Sequence, residues 1–487
     1  MFLVFFGSLT APGCANSQRI AKTLFERSRL EAVEWVFFGI LVVGLTWAPF
    51  WLGSNRFIPW GINAILFGLA ALFYELFLLV FSRAHAVSIK VVLPSVLMFA
   101  GVVIWCLVQT SILVPATWTH PVWGMTAEAL DQPILGSISV NRDLTTVALL
   151  RLLTAACAFW LSLQLCRNAD RARLLVQAVG AIVAIYALYG IIAAPFGAPI
   201  FWFDVAPSEG VVRSTFVSRN TFATYAGIGV ICNMALLLRL YRRQSGGGSI
   251  GQRLSHFIDN SGQDALWMLC ALVLSLTGLL LTGSRAGIIS ALSGMIALFL
   301  LTFIGRKRRI RDHAEAIVFM IVAVAGAFFF FGNIFAGRIG AGGLVDADRM
   351  AVYRMTLQSI TDSPILGFGY GTFIDVFPMY RDRSIPTYGL WDHAHNTYLE
   401  VFQGLGVIVG AMLIGSVAYL GFKCFFGIIK RKMGLMPVCV ALSVLVLVSV
   451  HSLVDFSLEM QAITITFMAL LGAGVAQAES SKHSIAD

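Results

Sequence analysis

The sequence predicts an all-α, polytopic membrane protein with about 12 transmembrane helices and a large external loop containing short amphipathic helices. Three observations carry this reading. Of 487 residues, 58% are hydrophobic and only 12% charged, with a mean hydropathy of +0.83, outside the range of a soluble domain of this length. Apolar runs of about 20 residues, enough for a helix to cross about 30 Å of hydrocarbon, recur along the chain. Between residues 33 and 478 no polar block is longer than 335–394. The expected organisation is a cytosolic N-terminal tail (1–32), a single membrane domain (33–478) and a cytosolic C-terminal tail (479–487).

The runs fall near 33–52, 57–81, 90–113, 144–166, 171–194, 215–240, 263–282, 286–305, 314–334, 396–421, 435–453 and 460–478. The pair meeting at 282–286 has room only for a tight hairpin. An even number of spans puts both termini on one side, and the short loops say which. With the N-terminus inside, the inner segments hold clusters such as Arg167, Arg171 and Arg173, and Arg306 to Arg309, together 23 of the 34 basic residues. The other eleven include no lysine. Positive residues are retained on the cytoplasmic side, so this asymmetry predicts that 335–394 faces outward, into a periplasm where the cell has one.

Nine excess positive charges do not describe a nucleic-acid surface here, because the basic residues lie in short clusters between apolar runs. The eight cysteines form no Cys-x-x-Cys pair and mostly lie in or beside apolar runs, so neither a disulfide framework nor a zinc site is expected. Residues 1–15 hold a short apolar stretch ending in Gly13-Cys14, but no basic residue precedes it and Arg19, Lys22, Arg27 and Arg29 follow. That order suits a cytosolic or interfacial tail better than an exported leader.

An arginine left on the outer side runs against the insertion bias and needs a reason. For Arg338, Arg349, Arg354, Arg381 and Arg383 solvation in a long loop suffices. Arg285 is different: Thr282-Gly283-Ser284-Arg285-Ala286-Gly287 sets it in a turn of small residues between two apolar spans. An ionisable group at a membrane edge is costly and is a functional candidate, with a snorkelling anchor as the alternative. Arg213 and Arg219 flank Ser214 to Ser218 just before the sixth span, where function and anchoring weigh about equally. Arginine suits a diphosphate because its planar fork donates two parallel hydrogen bonds and keeps its charge.

At the far end of the loop, Asp392 to Glu400 reads Asp-His-Ala-His-Asn-Thr-Tyr-Leu-Glu. Imidazole titrates near neutrality, so an outward His395 could take a proton from a hydroxyl. His393, two residues away, could share or replace that role. Asn396 could orient the ring, and Asp392 or Glu400 could raise its basicity. His451, Asp455 and Glu459 are spaced to share one helical face if their segment is continuous; a short loop between spans is the alternative. Glu75, inside the second run, calls for a structural partner. Residues 347–357 are patterned as an amphipathic helix on the membrane surface. Gly367, Gly369 and Gly371 lack the strand and the Lys-Ser/Thr of a nucleotide loop, and suit a turn whose backbone approaches membrane or substrate.

In this order the motifs resemble the O-antigen ligase family, membrane glycosyltransferases that include O-antigen ligases and exopolysaccharide polymerases. The resemblance rests on Arg213 with Ser214-Thr215-Phe216 and Asn220, on Thr282 to Gly287, on Arg349 to Phe373, on His395 to Glu400 with Gly404 to Gly410, and on Asp455-Phe456. It is strongest over about 210–475; the first 200 residues match mainly in hydrophobicity. It implies transfer of a glycan from undecaprenyl diphosphate to an acceptor hydroxyl at the outer face of the bacterial inner membrane. Arg213 and Arg285 would then hold the diphosphate and His395 would be the general base, favoured over His393 because it directly precedes Asn396. His393, Asn396, Glu400, Arg219 and Asp455 would support them.

The resemblance further implies inversion at the anomeric carbon with neither metal nor cofactor. Partners would be the lipid-linked oligosaccharide, an acceptor glycan or glycolipid and membrane lipid, and polysaccharide export machinery could join them. The overall pattern leans slightly to a polymerase over a lipid A-core ligase. The alternative from another class is a secondary transporter of a small anion, for which repeated halves and mid-membrane ionisable groups would be expected. A topology reporter fused after Arg381 is expected to score as external, and a cytosolic signal would overturn the orientation.

Overall fold

The chain begins its described course with a long helix whose first part is known only as backbone. The computed structural model describes residues 12–197, 200, 210–244, 250–304, 347–386, 390–431 and 434–479, with backbone alone over 12–29. The ninth apolar run (314–334), Arg338 and the basic cluster 306–311 lie outside the described residues, as do 1–11 and 480–487.

Fifteen α-helices and no strand occur among the described residues. They are α1 (Pro12–Trp47), α2 (Phe57–Val80), α3 (Leu93–Thr110), α4 (Val122–Leu130), α5 (Arg142–Leu165), α6 (Ala169–Ala193), α7 (Arg219–Gln244) and α8 (Ile250–Leu281, kinked at Gly262). Then follow α9 (Arg285–Ile304), α10 (Ala347–Asp362), α11 (Phe373–Tyr380), α12 (Thr397–Leu405), α13 (Val407–Lys430), α14 (Met436–His451) and α15 (Gln461–Ala478). Ten of the described helices are long and apolar enough to cross a membrane, and α14 is a shorter apolar helix of 16 residues. The protein is a multi-pass, all-α membrane protein.

One span differs from the sequence reading. The tenth run, 396–421, is not one helix: α12 ends at Leu405, Gly406 takes φ 77, and α13 starts afresh at Val407. The break has a backbone cause. Val407 N donates to Pro364 O at 2.8 Å, and a Cβ on Gly406 would lie 2.3 Å from Ile365 O. The 364–369 turn therefore wedges against the 404–406 corner. Gly367, Gly369 and Gly371 all have positive φ, and a Cβ on Gly367 would fall 2.4 Å from Gly404 O. Gly367 thus admits the 404–406 backbone, and Gly369 and Gly371 the side chains of Ser139 and Ala148, where membrane or substrate was expected.

At the centre stands α7, whose membrane window is entirely buried among α6, α8, α9 and α14. A helix apolar on every side belongs in such a place. Lipid tails are as apolar as leucine, so helices in a bilayer associate through close packing, which small residues permit. Gly227 faces Leu447 and Ala291; Gly229 faces Val183 and Ser275. α15 is nearly as enclosed, against α5, α13 and α14. The outer helices expose apolar residues such as Leu79, Val80 and Ile104, as lipid-facing surfaces do.

Charges inside the spans are partnered. Glu75 accepts from Trp160 Nε1 at 2.6 Å and meets His85 Nε2 at 2.9 Å, the structural role expected of it. Arg171, buried, donates to Glu34 at 2.7 Å and ties α6 to α1.

If close approach around α7 holds the bundle, Gly229→Leu, whose Cβ alone would sit 2.3 Å from Val183 Cγ1, destabilises it by about 1–3 kcal/mol or more. Gly68→Leu, with nothing within 4 Å, should leave the thermal midpoint in detergent unchanged. Equal midpoints for both variants would refute this packing account.

Candidate active site

Five helix ends meet at one end of the bundle: the starts of α7, α9 and α15 and the finishes of α8 and α14. Each start is built locally. Ser218 caps α7 by accepting from Asn220 N at 3.2 Å, and Ser284 caps α9 by accepting from Gly287 N at 3.1 Å. Both caps precede an arginine, so Arg219 and Arg285 are the first residues of their helices. A cation is disfavoured by the dipole at a helix N-terminus. Two such arginines at two neighbouring helix N-termini make an electropositive corner suited to an anion.

Arg213 joins this corner through the backbone. Val212 N donates to Leu281 O at 3.1 Å, pinning the 211–216 turn to the end of α8, just before the 282–284 connection that leads to Arg285. Within the turn Phe216 N donates to Arg213 O, Ser214 takes φ 52, and its hydroxyl donates to Tyr186 O at 2.6 Å. Arg213 is buried there, at 4% exposure. The tight fold of small and hydroxylated residues is why an arginine can be held so deep.

His395 reaches the same end from the other side. Asn396 Nδ2 donates to Leu453 O at 2.9 Å, Thr397 N to Ser452 O at 3.0 Å and Tyr398 OH to Ser449 O at 3.0 Å. These bonds fasten the start of α12 to the finish of α14. His395 has φ 53, a left-handed conformation rare for a residue with a side chain. Tyr353 of α10 donates to the His395 carbonyl at 2.8 Å and so helps to hold it.

The ring of His395 lies between Trp391 and Phe456, edge-on to both. Its Nδ1 is buried and sits 3.6 Å from Oδ1 of Asp455, within ion-pair range but beyond a hydrogen bond. The side chain is 23% exposed, so its open edge faces away from Asp455. Catalytic hydrogen bonds are often long before substrate binds. Asp455 has no exposed surface; burial opposes its charge, but His395, His451 and Ser457 together hold its carboxyl below the ordinary value.

His393 occupies a different environment. Its ring stacks on Phe456 at 4.1 Å, and Nδ1 meets Glu400 Oε2 at 3.1 Å, while Ala394 N donates to Glu400 Oε1 at 2.7 Å. Burial works against charging this imidazole, but the Glu400 carboxylate outweighs it and lifts the pKa to about 9.

Two supporting roles therefore differ from the sequence reading. Glu400 pairs with His393 and not with His395, because α12 turns its first carboxylate back over the loop. Asn396 accepts from Leu399 N as the cap of α12 and makes no bond to the His395 ring. His451, Asp455 and Glu459 are not on a continuous helix: α14 stops at His451, a turn follows, and Ser457–Glu459 forms a 3-10 turn. Asp455 is then free to meet His395, while Glu459 pairs with Arg151 at 2.8 Å.

Sequence reasoning missed the residues that connect the two halves. Ser457 donates to Asp455, and Thr224, on the second turn of α7, donates to Ser457 at 2.8 Å. They link the histidine side to the arginine-bearing helix. Thr224 lies in an apolar run and Ser457 in the short connection between two, and neither hydroxyl carries a pattern of its own. The amphipathic stretch 347–357 is helical in α10, which turns Val352 and Met355 inward and leaves Met350 and Leu357 exposed. Among the described residues no group of three His, Cys, Asp or Glu is placed to hold a metal ion.

Residues 270–414 match the family model described as O-antigen ligase. The match takes in Arg285, His393, His395, Asn396 and Glu400, and leaves Arg213, Arg219 and Asp455 outside. No curated protein matches the chain.

The His393–Glu400 pair has a pH signature. Because the folded pKa of His393, about 9, exceeds the ordinary 6.5, its stabilisation is complete below pH 6.5 and is lost as pH rises through 9. The thermal midpoint of the purified protein should fall across that window relative to a His393→Gln variant. Parallel curves for the two proteins would remove the ion pair from the account.

Proposed function

Given that the chain carries an O-antigen ligase domain at residues 270–414, we propose that it is a glycosyltransferase of the bacterial inner membrane, acting on undecaprenyl-diphosphate-linked glycan at the outer face. His395 is the general base. The observation that carries this is its ring, with Nδ1 buried toward Asp455 and the opposite edge open, at the end of the bundle where the Arg213 turn is bonded to the end of α8, four residues before Arg285.

In the proposed reaction His395 takes the proton from an acceptor hydroxyl, the oxygen attacks the anomeric carbon, and the bond from that carbon to the diphosphate oxygen breaks. Undecaprenyl diphosphate leaves with the bonding pair, and attack from the opposite face inverts the carbon. Arg213 and Arg285 meet the charge that develops on the leaving group, where fixed cations stabilise a transition state more than its ground state. Arg219 adds to the same field. Asp455 orients the ring and stabilises the imidazolium. With arginine supplying the electrostatics, the reaction needs no divalent cation.

Polymerase and ligase differ in the acceptor, and the overall motif pattern leans to the polymerase. Deleting the gene distinguishes them: shortened or lost surface polysaccharide marks a polymerase, and full-length polysaccharide unattached to lipid A marks a ligase.

Purified protein supplied with lipid-linked oligosaccharide should release undecaprenyl diphosphate equally with and without EDTA. His395→Ala is expected to lower the rate by about 10²–10⁴-fold, and Arg285→Ala by about 10²–10³-fold, with both variants still inserted. Full activity in both would sink the mechanism.

A further inference from the structure

Behind Asp455 lies a set of buried polar groups for which the mechanism has given no task. His451 and Ser457 have essentially no exposed surface, and Thr224 is buried on α7. Thr224 Oγ1 is hydrogen-bonded to His451 Nδ1 and lies 2.8 Å from Ser457 Oγ; Ser457 Oγ is bonded in turn to Asp455 Oδ2 and also lies 3.3 Å from His451 Nδ1. His451 Nε2 is buried with no hydrogen-bond partner.

Counting hydrogens orders these bonds. A hydroxyl has one proton to give. Ser457 faces a carboxylate oxygen, which can only accept, so its proton is committed to Asp455. Ser457 can then only accept, with Thr224 at 2.8 Å as its nearer donor; of the other acceptors for the Thr224 proton, Asn220 O is farther away at 3.4 Å, and Nδ1 could accept it only by leaving the ring hydrogen on the partnerless Nε2. With its own proton spent, Thr224 can only accept from His451, so Nδ1 must carry the hydrogen. That tautomer also fits the bare Nε2, since an unfilled acceptor is tolerated more readily than a buried N–H without a partner.

We propose that His451, Thr224 and Ser457 are positioning residues: a one-way donor chain, from His451 Nδ1–H through the two hydroxyls, that keeps Asp455 ionised and fixes its other oxygen toward His395. The chain explains why a carboxylate with no exposed surface is charged at all. Oδ2 is used by Ser457, so Oδ1 is left for the histidine. Among the described residues, other charged groups around Asp455 are few. They are His395 from the loop before α12, Arg349 of α10, which donates to Val454 O at 2.9 Å, and the His393–Glu400 pair across Phe456. Arg219 stands at the first turn of α7.

The proposal rests on the transferase reading, and two measurements separate the fates of the two. The first needs no turnover: ¹⁵N-histidine spectra of the full-length protein in detergent, with His451 assigned by loss of its signal in His451→Gln. A neutral, Nδ1-protonated His451 is expected; an Nε2-protonated or doubly protonated ring overturns the chain, whatever the activity.

The second is the pH dependence of undecaprenyl diphosphate release. Ser457→Ala and Thr224→Val should shift the acid limb upward, Ser457→Ala by about one to two pH units, because a hydrogen bond to the charged form is lost. Thr224→Ser, which keeps the hydroxyl, should restore the wild-type profile. A lower rate at every pH with an unmoved limb would reduce these residues to structural ones and overturn the proposal. An active His395→Ala enzyme would overturn the transferase mechanism alone, and the tautomer of His451 would still judge the chain.

Discussion

Asp455 has no exposed surface, and leaving a charge in that position is costly unless every side of it is answered. The answers come from segments far apart in sequence: a histidine from the long loop, a histidine from the end of α14, and hydroxyls from α7 and the 3-10 turn. Each partner fixes the place of its own segment. The loop before α12 can be nowhere else once its backbone is bonded to residues 449–455, and the end of α14 is held against α7 through Thr224. Much of the site is thus the coordination of one buried carboxylate, and its two histidines differ because only one of them faces it.

The rigidity behind this arrangement comes from α7. Enclosed on all sides, it brings its first turns, with Arg219 and Thr224, to the same level as the turns that carry Arg213 and Arg285. Glycines 227 and 229 set how closely its neighbours approach. Packing deep in the bilayer and chemistry at its edge are therefore linked along one helix.

The spans were legible because hydropathy reports composition, and composition is what a bilayer selects. The small-residue turn at Arg285 was legible too, because a lone cation between two apolar runs has few explanations. The break at Gly406 was not, since it follows from backbone contacts with Pro364 and Ile365 that no local window contains. Glu400 was expected to act on His395, and only the turn of α12 gives it to His393. For His451, Asp455 and Glu459 the spacing allowed either one helical face or a short loop, and the chain takes the loop. Ser457 and Thr224 act through single protons, which leave no trace in periodicity.

The brevity of α14 bears on how deep the chemistry lies. Sixteen residues of helix reach about 24 Å, short of a hydrocarbon layer about 30 Å thick. The bilayer must thin beside it, or the turn from His451 to Glu459 must sit below the surface of the surrounding lipid. In either case the buried dyad stands near headgroup depth. A lipid-anchored diphosphate could then meet the arginines without its tail leaving the membrane, and the acceptor hydroxyl would have to be brought down to the same depth.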